Sequence, residues 1–288
     1  MKADFVIPVF NERPSALRGT VQACAAQTHA VSKILVVDDG SSPPVIIPSI
    51  DDCAVDVKLI RLDENQGISA ARNTAIALSD ASFVACVNTD ILPEPNWLAV
   101  CVRHLEKHPK VGACYTKMIP SEPGRLLTRW RMRFQEPHFP EESRPASFAT
   151  GHAVVFRREA VDSVGGYDVR LKKMHEDSDI CRRMWREGWE THYVADSHCT
   201  SIQADTLLTL AAKQLRDSNW RSPNESSLLH LYYHLTWWTI VRSTRNILKA
   251  RLHFLPVDFA LWATALSIAT SRTIAALEIK RRMTSSTR

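Results

Sequence analysis

Short β-branched runs that each break off into a polar cluster, alternating with helix-period segments, occupy the first 115 residues. Ala3–Val9 predicts a buried strand running into Asn11-Glu12. Lys33–Val37 predicts a second, cut off by Asp38-Asp39-Gly40-Ser41-Ser42, a group of turn formers. Val57–Arg61 is a third, and Ser82–Val87 a fourth that ends on Asn88-Thr89-Asp90. Between them, Ser15–Gln27 spaces Leu17, Val21, Cys24 and Ala25 as a helix does, and Gly67–Ser79 does the same with Ile68, Ala71, Ala75 and Leu78. Strands that alternate with helices imply a parallel, right-handed βαβ sheet covered on both faces. Ligands of such sheets bind outside the carboxyl ends of the strands. The three polar clusters therefore converge on one crevice.

The crevice lacks a glycine cradle. No G-x-G-x-x-G follows a strand and no G-x-x-x-x-G-K-[ST] occurs, which excludes a dinucleotide fingerprint and a P-loop. An acidic crevice of this kind holds phosphates most simply through a divalent cation that bridges carboxylate to diphosphate.

Beyond residue 120 the pattern loosens around Pro120, Pro123, Pro137, Pro140 and Pro145. Within it, Arg129-Trp130-Arg131-Met132-Arg133-Phe134 alternates basic with apolar at period two, the mark of a half-exposed strand or of a lip that meets an anionic acceptor. Ala153–Phe156 predicts a strand and Arg158–Val164 a short helix stopped by Gly165-Gly166. His175-Glu176-Asp177-Ser178-Asp179 opens another helix, with Asp177 or Ser178 as N-cap, Ile180, Cys181, Met184 and Trp185 inward, and Gly188 at its end. Thr191–Ala195 is a last strand, followed by a loop that carries His198. After Leu207 every segment is helical.

Taken in order, Val6-Ile7-Pro8-Val9-Phe10-Asn11-Glu12, Val36-Val37-Asp38-Asp39-Gly40-Ser41, Asn65-Gln66-Gly67 leading to Ala71-Arg72-Asn73, Asn88-Thr89-Asp90, Gly165-Gly166-Tyr167-Asp168 and Glu176-Asp177-x-Asp179 resemble family 2 glycosyltransferases over roughly residues 3–200. The resemblance implies a GT-A fold over 1–210: Rossmann-like α/β, with a mostly parallel sheet flanked by helices. It also implies an inverting transfer of sugar from a nucleotide-sugar to an acceptor hydroxyl, assisted by Mg2+ or Mn2+. Carried over by position, Pro8, Phe10 and Glu12 pack on the nucleoside, Asp39 hydrogen-bonds the base, and Arg72 lies beside the base and phosphates. Asn88, Thr89 and Asp90 complete the nucleotide-sugar site, Asp90 ligates the metal, Asp177 is the general base, and His198 is a further metal ligand. Asp179 is the other acid within that motif. Asn88 departs from the family's Asp-x-Asp, as in its rhamnosyltransferase-like members, and removes one charge from the anionic site. The Gln-x-x-Arg-Trp motif of processive members is absent, since Gln214-Leu215-Arg216-Asp217 has neither the Arg nor the Trp in place, which implies single addition. Two rivals share the crevice: a nucleotidyltransferase of similar fold, and a binding subunit weakened by Asn88.

Charge separates the rest of the chain. The 36 Lys and Arg against 31 Asp and Glu leave +5 overall; the last 63 residues hold nine cations and two acids, a net +7, so the first 225 carry −2. A +5 chain at 45% hydrophobic residues is neither disordered nor a typical nucleic-acid binder. Leu228, Leu229, Leu231, Tyr232, Leu235, Trp238 and Ile240 form a broad apolar face, with Arg242, Arg245 and Lys249 as a basic stripe beyond it. Phe259, Leu261, Trp262, Leu266 and Ile268 follow, and Lys280-Arg281-Arg282 closes the pattern. No apolar stretch reaches the roughly 20 residues that span a bilayer. The helical tail, 211–288, is expected to lie on an anionic membrane surface, or else to cap the domain or form a homodimer interface. With seven scattered cysteines and no signal peptide, the expected location is cytoplasmic, on the inner face of the cell membrane, with a nucleotide-sugar donor and a glycan or lipid-linked acceptor as partners.

Overall fold

The computed structural model describes residues 2–47, 55–135, 139–172, 174–221, 228–249 and 251–268. Its elements are β1 (Ala3–Val9), α1 (Pro14–Ala25), β2 (Val31–Asp38), β3 (Asp56–Arg61), α2 (Ile68–Leu78), β4 (Phe83–Val87), β5 (Ile91–Pro93) and α3 (Trp97–Lys107). Then come β6 (Val111–Pro120), α4 (Leu126–Phe134), β7 (Arg144–Ala146), β8 (Ala153–Arg157), α5 (Arg158–Ser163), α6 (Glu176–Arg186), β9 (Glu190–Ser201), α7 (Leu207–Arg221) and α8 (Leu228–Leu248). A 3-10 turn, Leu252–Phe254, leads into α9 over 255–268.

The strands form one sheet in the order β3-β2-β1-β4-β8-β6-β9-β5, with β7 beside β9. The first four are parallel, as the alternating pattern predicts; β8 runs antiparallel to both β4 and β6 and makes the sheet mixed. β1, β2 and β4 are buried on both faces, at period two, while β3 at the sheet edge is largely exposed. Phe5, Ile7, Ile34, Val36, Phe83 and Ala85 face Leu17 and Val21 of α1 and Trp97 and Leu98 of α3. Val6, Leu35, Val37, Val84 and Cys86 face Ala71 and Ala75 of α2 and Ile180 and Met184 of α6. Strands buried this way are apolar along most of their length, so polar side chains accumulate just past their ends.

The described chain divides into two compact units: residues up to Ser121 together with 139–203, and residues from Glu122 to 135 together with Ala204 onward. The division does not follow a single cut at 210, because α4 falls with the later helices. Those helices share their own core of Trp130, Leu210, Ala211, Leu215, Leu235, Phe254, Val257, Leu261 and Ala265.

Several local expectations change. Arg129–Phe134 is helix, not strand. Leu127, Trp130, Arg131 and Phe134 turn inward at helical spacing, and Arg131 is buried in an ion pair with Asp205, 2.8 Å away, so its charge does not mark the solvent side. The cap of α6 is His175, at φ 66°, rather than Asp177 or Ser178, and Trp185 is 70% exposed rather than inward. His198 lies within β9, which runs on to Ser201 instead of ending in a loop at Ala195. Arg242 is not an exposed member of a basic stripe; it sits 3.5 Å from the buried Asp258. Asp258 also accepts from Trp130 Nε1 and Asn246 Nδ2, both at 2.8 Å. The side chains of Leu228, Leu229, Leu231 and Tyr232, and Lys280-Arg281-Arg282, lie outside the described residues.

At the far edge of the first unit, His104 Nε2 and His192 Nδ1 are 3.0 Å apart, and the rings of His104 and His108 lie 4.5 Å from each other. Burial first, and then the neighbouring His108 and His192, lower the His104 pKa from 6.5 to about 4. The unfolded chain therefore takes up a proton that the folded one refuses, and stability falls as pH drops from 6.5 towards 4. Thermal midpoints measured across that range should decline less steeply in His104→Gln than in the unaltered protein.

Candidate active site

A cleft of about 330 Å3 opens at the carboxyl ends of β1, β2 and β4, lined by Pro8, Val9, Phe10, Glu12, Asp39, Asn65, Gly67, Ile68, Ala71, Asn88, Thr89, Asp90 and Lys172. Its size is that of a small-ligand site. The structure thus brings seven sequence-predicted residues together here: Pro8, Phe10, Glu12, Asp39, Asn88, Thr89 and Asp90. Arg72, Asp177 and His198 do not line it.

The two adjacent aspartates after β2 divide their work. Asp38 is fully buried and ties the loop shut, accepting from Ser41 N at 2.9 Å and Val45 N at 3.1 Å and pairing with Arg61. Its burial alone would raise its pKa, but those hydrogen bonds and Arg61 hold it below the ordinary value. Asp39 faces the cleft. It accepts from Gln66 N at 2.8 Å, Gly67 N at 2.9 Å and Asn65 Nδ2 at 3.0 Å. A carboxylate offers about four acceptor positions, so one remains on Asp39 Oδ1 for an N–H of a ligand. Gly67 is required at that wall: its φ is 99°, and a Cβ would stand 2.7 Å from the Lys172 backbone.

Phe10 leaves its ring 49% exposed at the mouth of the cleft, an apolar face available for stacking. The next residue, Asn11, has φ 51°; its N donates to Ser41 Oγ and its Oδ1 accepts from Ser42 N, both at 2.9 Å, which joins the ends of β1 and β2. The Asn88-Thr89-Asp90 turn is fixed from both sides: Asn88 N donates to His152 O at 2.9 Å, and Thr20 Oγ1 of α1 donates to Thr89 O at 2.8 Å.

Arg72 lies beneath the cleft, with no exposed surface. It donates to Glu176 Oε1 at 3.0 Å, Asn88 Oδ1 at 3.1 Å and Gly151 O at 2.8 Å. On its other side, Gly151 N donates to Asp177 Oδ2 at 2.9 Å. A single residue, Gly151, thus separates the guanidinium that orients Asn88 from the carboxylate of Asp177. Asp179, the other acid of that motif, is held by Arg183 at 2.8 Å.

His198 pairs with Glu94 at 3.2 Å. Along the antiparallel β5–β9 ladder, Ile91 faces Ser201 and Pro93 faces Cys199, so Asp90 and His198 sit about four residues apart in register. At roughly 3.3 Å per residue that is about 13 Å, too far for both to hold one ion. Among the described residues, no three His, Cys, Asp or Glu side chains form a metal-ligating group. Asp90 alone fits the way Mg2+ is usually held, by one or two carboxylates with the remaining positions filled by substrate phosphates and water.

Lys172 was not singled out from sequence. Its only advance signal is a Lys pair shortly before the acidic run of α6, a pattern too common to point to a cleft.

With this geometry in view, the chain matches the family model for glycosyl transferase family 2 over residues 4–165, more than half its length. The chain belongs to that family. Among its relatives are a pre-mycofactocin glycosyltransferase of Mycobacterium tuberculosis, 28% identical over 69% of this chain and 43% of the relative, and an N-acetylglucosaminyltransferase of Rhizobium sp., 27% identical over 79% of this chain and 54% of the relative. The chain spans about half the length of those two curated relatives. Solved structures give the fold: GalNAc-T7 with UDP, GalNAc and Mn2+ (TM-score 0.55, 17% identity, 74% of this chain and 48% of that one) and Staphylococcus aureus TarS 1-349 (TM-score 0.54, 14% identity, 96% and 92%). As a family 2 glycosyltransferase with a GT-A fold, the chain carries its cleft at the strand ends, where open α/β sheets bind ligands.

Replacing Arg72 by Met should destabilise the protein by about 3–5 kcal/mol, because it strands the Glu176 carboxylate in a buried setting. The double variant Arg72→Met/Glu176→Leu should recover part of that loss in a denaturant titration.

Proposed function

We propose that this family 2 glycosyltransferase moves one sugar, with inversion, from a UDP- or dTDP-sugar to a hydroxyl of a glycan or lipid-linked acceptor. The observation that carries the reading is the remaining acceptor on Asp39 beside the exposed ring of Phe10. Uracil and thymine each present an imide N–H, the donor that this carboxylate lacks, and a flat face for the ring. Lys172 supplies a cation to the same cleft, and Asp90 an anion.

Inversion is one in-line displacement. The acceptor oxygen bonds to the anomeric carbon as the bond from that carbon to the diphosphate oxygen breaks, and the acceptor's proton passes to a base. We assign that base to Asp177. Its two oxygens accept from Gly151 N and Ser178 N, which fix the carboxylate and leave acceptor positions for a hydroxyl. Asp179, already paired with Arg183, is the weaker candidate. A Mg2+ or Mn2+ held through Asp90 would neutralise charge on the departing diphosphate. Lys172 places a second positive charge in that cleft.

The neighbour crystallised with UDP and Mn2+ supports a nucleotide-sugar donor and a divalent metal, and the varied names of the relatives leave the sugar open. We further infer that the helical unit lies against an anionic membrane surface, which would keep the enzyme where lipid-linked acceptors are. Trp237 and Ile240 of α8 and Phe259 of α9 are more than half exposed, as interfacial helices require. No helix of the described residues is long and apolar enough to cross a membrane.

Asp177→Asn should lower turnover by about 100-fold or more, from the lower end of the range for a lost general base upward, while the protein still binds its donor in a thermal-shift titration with Mn2+. Analysis of the small product provides the wider check. Release of a nucleoside diphosphate is expected; release of pyrophosphate would make the chain a nucleotidyltransferase.

A further inference from the structure

The helical unit holds a second recess, of about 110 Å3, lined by Arg133, Phe134, Arg245, Asn246, Lys249 and Arg251. Four of these six side chains are cationic and none is acidic. Neighbouring arginines are already matched, Arg131 by Asp205 and Arg242 by Asp258. No carboxylate among the described residues pairs with Arg133, Arg245, Lys249 or Arg251. Asn246 fixes the wall from within: it is 1% exposed and bound to the buried Asp258. The recess also lies at the C-terminal end of α8, whose carbonyls contribute roughly half a negative charge. That is well short of four full positive charges, so the site as a whole attracts an anion.

Its surroundings identify the kind of anion. Ile247 is 57% exposed, Leu248 79% and Leu252 58%, and all three are neighbours in sequence of the recess residues. Three exposed aliphatic side chains beside a cationic recess serve no purpose for a soluble anion but match the boundary between lipid headgroups and acyl chains. The volume, about a third of the 330 Å3 cleft, suits a phosphate headgroup and is too small for a sugar nucleotide.

We propose that this recess binds the phosphate of an anionic membrane lipid, with Ile247, Leu248 and Leu252 entering the acyl boundary. The proposal rests on the membrane reading of the helical unit and names the residues that would make the contact.

Flotation of the full chain with phosphatidylcholine vesicles, with and without phosphatidylglycerol, tests it. Binding should require phosphatidylglycerol. The double variant Arg245→Gln/Lys249→Gln should bind at least about tenfold more weakly, as removal of two cations from an anionic surface implies. Both positions are exposed, so its unfolding midpoint should stay unchanged, and Lys249→Arg should bind as the unaltered chain does. If the unaltered chain binds and the double variant binds equally well, the recess is not the site, though the membrane reading survives. If the unaltered chain ignores both vesicles, both readings fall. If inorganic phosphate raises the unfolding midpoint through Arg245 and Lys249 while vesicles bind regardless of them, the recess serves a soluble phosphate and the lipid assignment is wrong.

Discussion

The candidate site depends on one buried ion pair, Arg72 with Glu176, whose side chains are 0% and 8% exposed. A guanidinium does not shed its proton in a protein, so a fully buried arginine must find partners for its charge and its donors. Arg72 takes them from three places: α6 through Glu176, the end of β4 through Asn88, and the segment before β8 through Gly151. The ring of Tyr167 adds a fourth contact, 5.1 Å from the guanidinium carbon. These segments are far apart in sequence, and only the arginine orders all of them at once. Such a pair adds little net stability compared with an apolar replacement, but it fixes geometry. Here the fixed geometry is the orientation of Asn88 in the cleft and the placing of Gly151 against Asp177.

That network also accounts for two residues that look arbitrary in the sequence. Asn88 takes the place of the first acid of the Asp-x-Asp that the motif resemblance implies, and in this fold its carbonyl oxygen accepts from Arg72. Gly151 is pressed so closely on Asp177 that a Cβ would lie 3.0 Å from Oδ2. Any larger residue would push aside the carboxylate proposed as base. Both residues are therefore tied to the arginine beneath the cleft, Asn88 through its side-chain oxygen and Gly151 through its carbonyl.

How much of this was legible in the sequence follows from which forces act locally. β1, β2 and β4 are legible because both faces are buried, which makes each an apolar run with a polar stop. The residues after those stops, Phe10, Asp39, Asn88 and Asp90, fall in the cleft for the same reason. Arg72 was matched to a position beside the phosphates, yet it packs under the floor, because its partner Glu176 is over a hundred residues away and no local pattern reports such a pair. His198 failed as a partner for Asp90 because a loop was expected where β9 continues, and strand register then fixes the separation. In α4, charged and apolar residues alternate along a stretch too short to distinguish period two from helical spacing, and the decisive fact, that Arg131 is buried against Asp205, is tertiary.

The same distinction between matched and unmatched charge reshapes the basic tail. Counting cations made it uniformly positive, but a buried carboxylate reverses the meaning of those close to it. Asp258 is fully buried among Trp130, Ser243, Asn246 and Arg242. An ionised carboxylate cannot remain in such a core without donors, so Arg242 and the Trp130 indole are drawn inward to supply them. Arg133, Arg245, Lys249 and Arg251 line the recess instead, beside the exposed aliphatic side chains of Ile247, Leu248 and Leu252. Two buried acids of the helical unit, Asp205 and Asp258, thus separate the cations that hold the fold from those that line the recess.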